Sequence, residues 1–185
     1  GIKKVLDKAV KDWHIVIAAC LSLLLELALI RWQSEIFPIF AFYKNFSLLA
    51  CFAGLGIGYA IAGRTTIPLS MTMPILGCQF LYGIFLRYGL AHWRMHSLWR
   101  TPIVEQVNMG VESGGTLTIL AVVYLFLAVF FMLTVLAFIP MGQICGRSMK
   151  NRGALRAYGL NLAGSIAGIV IMTALAFCWT SPVIW

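Results

Sequence analysis

The chain has 185 residues, 61% of them hydrophobic and only 11% charged, with a mean hydropathy of +0.91. This excludes an ordinary soluble domain, because spans of about 20 residues each take up most of the length and leave no stretch for a sizeable soluble core. The formal charge of +8, from fourteen Lys and Arg against six Asp and Glu, does not indicate nucleic acid. The cations gather at the ends of apolar segments, as the positive-inside rule requires, and no basic stripe carries interleaved aromatic residues.

Residues 1–12 place Val5 and Ala9 opposite a face holding Lys3, Lys4, Lys8 and Lys11, the pattern of a basic helix lying on an anionic membrane surface. The first span is expected at about 13–32, with Trp13 and Trp32 at its two interfaces and one acid, Glu26, inside it. Residues 33–43 form a polar, then aromatic, connection in which Pro38 bars a regular helix. The second span covers about 44–63 and contains Gly54, Gly56 and Gly58. Those glycines sit in a continuous apolar run and not on a strand-to-helix turn, so they read as a helix-packing surface rather than a phosphate loop. Gly58 and Ala62 add a small residue four positions on.

The third span is expected at about 67–90, kinked by Pro74 and carrying Gln79. The segment 91–115, with Trp93 and Trp99, reads as interfacial. A fourth span at about 116–140 is the most uniformly apolar and is expected to be the most lipid-exposed and to carry no chemistry. A basic connection from Gly142 to Arg156 leads to a fifth span at about 157–179, in which Gly164 and Gly168 make a GxxxG face with Asn161 and Ser165 beside it. Residues 181–185 read as the start of a sixth span. With the N-terminus inside, the inner segments hold nine of the fourteen cations. The expected fold is therefore an all-α polytopic membrane bundle of five spans, with the N-terminus in the cytoplasm.

Cys20, Cys51, Cys78, Cys145 and Cys178 all fall in or at the edge of apolar segments with no CxxC pair, so they read as packing thiols and not as a disulfide framework or a zinc site.

Several motifs together carry a resemblance. ELALIRW from Glu26, FYKN from Phe42, LLACFAGLGIG from Leu48, YGLNLAGSIAGI from Tyr158 and TSPVIW from Thr180 resemble the N-terminal membrane region of bacterial fused spermidine synthase-like proteins. The resemblance implies a bundle comparable to half of a major facilitator transporter, in the inner membrane. A soluble domain similar to aminopropyltransferases or methyltransferases, using an S-adenosylmethionine-type cosubstrate, would follow it. No βαβ unit or cofactor loop of that kind lies within these 185 residues, so no cofactor and no catalytic residue is assigned here.

The candidate ligand-binding residues are Glu26, Arg31, Gln79, Asn161 and Ser165. Ionisable groups at membrane depth are rare and usually face a bundle interior, which makes Glu26 the first of them. Arg31, five residues on, points about 140° away from it, so Glu26 either accepts hydrogen bonds from Asn161, Ser165 or Gln79, stays protonated through desolvation, or binds a cationic ligand. Arg31 can also snorkel to the interface. His92 and His96, four apart, are weak metal candidates without an obvious third ligand. Three functions follow: a binding or transport-like anchoring module for a cationic small molecule such as a polyamine, a structural subunit that docks through glycine faces to other membrane subunits and has no ligand of its own, or a redox-complex accessory with a haem held by histidine. The lipid bilayer is the expected partner in all three.

Overall fold

In hydrocarbon each backbone N–H and C=O must be satisfied within its own segment, so apolar runs of this length have one local solution, the helix. The computed structural model describes residues 2–37, 40, 44–64, 66–85, 117–150 and 153–178, and among these there is no strand. Helix α1 covers Ile2–Ile36 and α2 covers Lys44–Ile61. A 3-10 turn at Leu69–Met71 enters α3 (Thr72–Ile84), followed by α4 (Leu117–Met149) and α5 (Ala154–Phe177). Three stretches, Asp12–Glu35, Tyr124–Met149 and Ala154–Phe177, are long and apolar enough to cross a membrane, while α2 and α3 are shorter apolar helices.

Four expectations change. The N-terminal basic segment is continuous with the first span: α1 runs 35 residues without a break, roughly 50 Å at the helical rise, against about 30 Å of hydrocarbon. Pro74 does not kink a helix. It is the third residue of α3, in the first turn, where its missing N–H has no intrahelical acceptor to lose. Pro140 does not end the fourth span either, since α4 continues through it to Met149. Contacts from Gly58 of α2 to Ile139, Gly142 and Gln143 hold the backbone on both sides of the proline, and most of the expected basic connection is therefore helix. Finally, α4 is the most buried of the three long helices, at 56% of its spanning window against 39% for α1 and 17% for α5.

Close contacts fix the relative directions of the helices. Gly54 meets Val135 and Phe138, and Gly58 meets Ile139 and Gly142, so α2 and α4 run parallel. Thr72 bonds to the Ala137 carbonyl at 3.2 Å and Gln79 to Thr134 at 2.9 Å, so α3 runs antiparallel to α4. Leu29 packs with Cys51, Ala137 and Phe138, while Gln33 reaches Thr134 and Ser47; α1 is antiparallel to both α2 and α4. On α5, Gly164 sits on Val16 and Ala19 and Gly168 on Cys20, making α5 parallel to α1. The odd-numbered helices run one way and the even-numbered ones the other.

Candidate functional site

Spacings of three and four residues put Asp12, Ile15, Ala19, Ser22, Glu26, Leu29 and Gln33 on one buried stripe of α1. Four of these seven residues are polar, in the longest helix of an apolar protein. Glu26 and Gln33 are seven apart, two turns along the same face, about 10 Å from each other.

At the Gln33 level four helices contribute one side chain each to a hydrogen-bond network. Ser47 Oγ of α2 donates to Gln33 Oε1. Gln33 Nε2 of α1 donates to Thr134 Oγ1 of α4 at 3.2 Å, and Gln79 Nε2 of α3 donates to the same oxygen at 2.9 Å. The Thr134 hydroxyl gives its one hydrogen to the Phe130 carbonyl at 2.9 Å, so towards both glutamines it can only accept. That fixes the orientation of both amides. Gln79 Oε1 is consequently left buried without a donor, although Gln79 is 0% exposed. A buried acceptor without a partner carries a desolvation penalty of about 1–3 kcal/mol.

An aromatic cap closes the bundle beyond this network. Phe37 and Phe40, from the segment after α1, turn inward onto Phe126 and Phe130, with Phe37 edge-on to Phe126 at 5.0 Å and to Phe130 at 5.8 Å. Tyr82 of α3 packs on Phe130 at 5.5 Å. Towards the other end of the bundle lies a second polar layer, in which Gln143 Oε1 accepts from the Ile67 N–H at 2.9 Å and from Arg147 Nη2 at 3.0 Å. Arg147 Nε also donates to the Ala62 carbonyl at 3.0 Å.

Glu26 lies between the two layers and is 2% exposed. Cys51 of α2 is near enough to interact with it electrostatically. No described residue gives the Glu26 carboxyl a hydrogen bond or an ion pair.

The other sequence candidates are distributed differently. Arg31 pairs with Glu35 at 3.7 Å on a surface where both side chains are more than a third exposed, away from the bundle interior. Asn161 and Ser165 are half-buried on α5. The parallel register of α5 with α1 sets them level with about residues 15 and 19 of α1, roughly 10–17 Å short of Glu26 along the axis, so they are not its partners. Gly54 and Gly58 form the α2 side of the contact with α4, and a Cβ on Gly142 of α4 would in turn meet Leu55. Gly56 faces open space, whereas Ala62 packs against Gly146. Gly164 and Gly168 make the contact with α1.

His92, His96 and residues 181–185 lie outside the described residues. Among the described residues no group of three or more His, Cys, Asp or Glu is placed to hold a metal, and all five cysteines are free thiols.

Sequence reasoning missed Gln33, Ser47, Thr134 and Gln143. The seven-residue interval from Glu26 to Gln33 was a usable signal. So was the GxxxG spacing of Gly142 and Gly146, hidden behind a proline that reads as a helix end. Comparison of the chain with protein-family models, curated proteins and solved structures gave no match.

Proposed function

We propose that the chain is a five-span module of a bacterial inner membrane, with its N-terminus in the cytoplasm, that holds a small cationic ligand at Glu26. This is the binding or transport-like role expected of a spermidine synthase-like membrane region, with a polyamine as the natural test ligand. The alternating helix directions agree with five crossings, α2 and α3 being the two short ones. The observation that carries the reading is the Glu26 carboxyl, 2% exposed and without a donor among the described residues. An acidic side chain at the centre of a span is unfavourable by about 2.5–3.5 kcal/mol on insertion scales, and a bound ammonium group offsets that directly. Gln79 Oε1, a buried acceptor without a donor at the Gln33 level, about 10 Å along the bundle from Glu26, supplies a second point of attachment for an extended N–H-rich ligand. The test is spermidine binding by calorimetry to the purified protein. Glu26→Gln is expected to abolish binding and leave the helical content unchanged, whereas undiminished binding in the variant sinks the proposal.

The second reading is a structural subunit of a larger membrane complex. What favours it is α5, whose spanning window is only 17% buried and which exposes Leu155, Tyr158, Leu162, Ile166 and Val170. A monomeric mass in mild detergent that persists at high protein concentration argues against self-association through this face. Failure to co-purify other subunits from native membranes removes the rest of the reading.

A further inference from the structure

A cleft opens where α2 and α4 end side by side, lined by Tyr59, Gly63, Arg64, Met149 and Lys150 among others. Its charge is one-sided. Arg64 follows the last turn of α2 and Lys150 the last turn of α4, so two cations from separate elements converge on one opening. Lys150 Nζ lies 3.3 Å from where a Cβ on Gly63 would stand; the glycine leaves room for the ammonium to lie over the end of α2. Three acids are accounted for elsewhere: Asp12 is paired with Arg156, Glu35 with Arg31, and Glu26 is enclosed in the bundle.

Helix C-termini ordinarily repel anions, because their last carbonyls carry partial negative charge. Here Arg147 offsets that: its Nε donates to the Ala62 carbonyl at 3.0 Å and its Nη2 to Gln143 Oε1 at 3.0 Å, fixing a third cation behind the cleft. The remaining wall is apolar. Met149 lines it, and Tyr59, 40% exposed, continues it towards Phe52, which is exposed two turns back on the same face of α2. A cationic mouth at a helix end with an apolar wall leading into the hydrocarbon layer suits an amphiphilic anion better than a small free one.

We propose that this cleft binds a phosphate group, and specifically that of an anionic phospholipid headgroup, with Arg64 and Lys150 as its ligands and Arg147 as a positioning residue that neutralises the end of α2. The site is separate from Glu26 and does not depend on what binds there.

The test uses the full chain reconstituted in vesicles of phosphatidylcholine alone or mixed with phosphatidylglycerol, with the unfolding midpoint as readout. Phosphatidylglycerol is expected to raise the midpoint of the unsubstituted protein, and R64Q/K150Q to lose most of that shift. R64K/K150R should retain it, because both charges remain. R31Q, which removes a cation near the aromatic-capped end of the bundle, should retain it as well. Inorganic phosphate added to phosphatidylcholine vesicles separates the sources: a shift that depends on Arg64 and Lys150 and needs no anionic lipid identifies a soluble phosphate compound as the ligand and overturns the headgroup assignment. No preference for phosphatidylglycerol, or a preference that R64Q/K150Q keeps, overturns the site altogether. If R64Q/K150Q fails to fold, salt decides in the unsubstituted protein, where the shift must shrink as added sodium chloride screens the charges.

Discussion

Two helix pairs use glycines four residues apart to bring parallel backbones close together, and they do so to different ends. In the α2–α4 pair both partners contribute, with Gly54 and Gly58 facing Val135, Ile139 and Gly142, and Gly146 next to Ala62. In the α1–α5 pair only α5 does, with Gly164 and Gly168 resting on Val16, Ala19 and Cys20. Helix α4 is also packed by α1 and α3, while the main contact of α5 is α1. The clamped pair encloses Thr134 and Gln143; the outlying pair leaves α5 mostly uncovered. Close approach alone does not make an interior, and polar groups are enclosed only where further helices cover the seam.

That difference predicts unequal responses to the same substitution. A Cβ at Gly58 would stand 2.8 Å from the Gly142 Cα and closer still to the Ile139 carbonyl, both of them backbone atoms held in place by three neighbouring helices. Gly58→Leu is expected to destabilise by about 3 kcal/mol or more, at or beyond the usual range for overpacking, or to prevent assembly. A Cβ at Gly164 would meet Ala19 Cβ at 2.8 Å and the Val16 carbonyl, a comparable clash, but α5 can move away from α1 without opening the four-helix core. Gly164→Leu is therefore expected to lower stability by only about 1–2 kcal/mol. Unfolding in mixed micelles measures both, and equal losses break the distinction between core pair and attached helix.

Inside the clamped pair, Thr134 is the acceptor on which two glutamine amides depend. Thr134→Val keeps the shape and leaves both Gln33 Nε2 and Gln79 Nε2 without that acceptor, for an expected loss of about 1–3 kcal/mol. Gln79→Met removes one hydrogen bond but also the Oε1 that has no donor, and should change stability by less than about 1 kcal/mol. If instead Gln79→Met is as damaging as Thr134→Val in ligand-free protein, a bound water occupies Oε1 and the network is larger than its four side chains.

Much of the architecture was legible in the sequence because hydrocarbon leaves so few alternatives. Apolar runs gave the helices, and Gly54, Gly58, Gly164 and Gly168 marked both parallel contacts. The boundaries were less legible where proline was read by its local effect. Pro140 breaks a helix in water, but α2 packed along both sides of it keeps α4 continuous; Pro74, expected inside a span, falls in a first turn. The site was legible in its central residue and not in its surroundings. Glu26 stands out in any apolar helix, whereas Thr134 within VFFMLTVLAF is inconspicuous until α1 and α3 bring Gln33 and Gln79 to it. Asn161 has the right chemistry for a partner of Glu26, but only the register of α5 on α1 excludes it.

The smallest expected effect lies at the end of the outlying pair, where Arg156 Nη2 of α5 meets Asp12 Oδ2 of α1 at 2.5 Å. The Arg156 side chain is 52% exposed and that of Asp12 11%, so water and salt screen the pair from the arginine side. Asp12 has a further interaction besides this pair, so Arg156→Gln is expected to change stability by about 1 kcal/mol or less, and by less as sodium chloride is added. The same unfolding measurement used for Gly164→Leu settles the ranking. If Arg156→Gln exceeds Gly164→Leu, charge rather than backbone contact holds α5 to α1. The two glycine-bearing pairs would then share a spacing without sharing a cause.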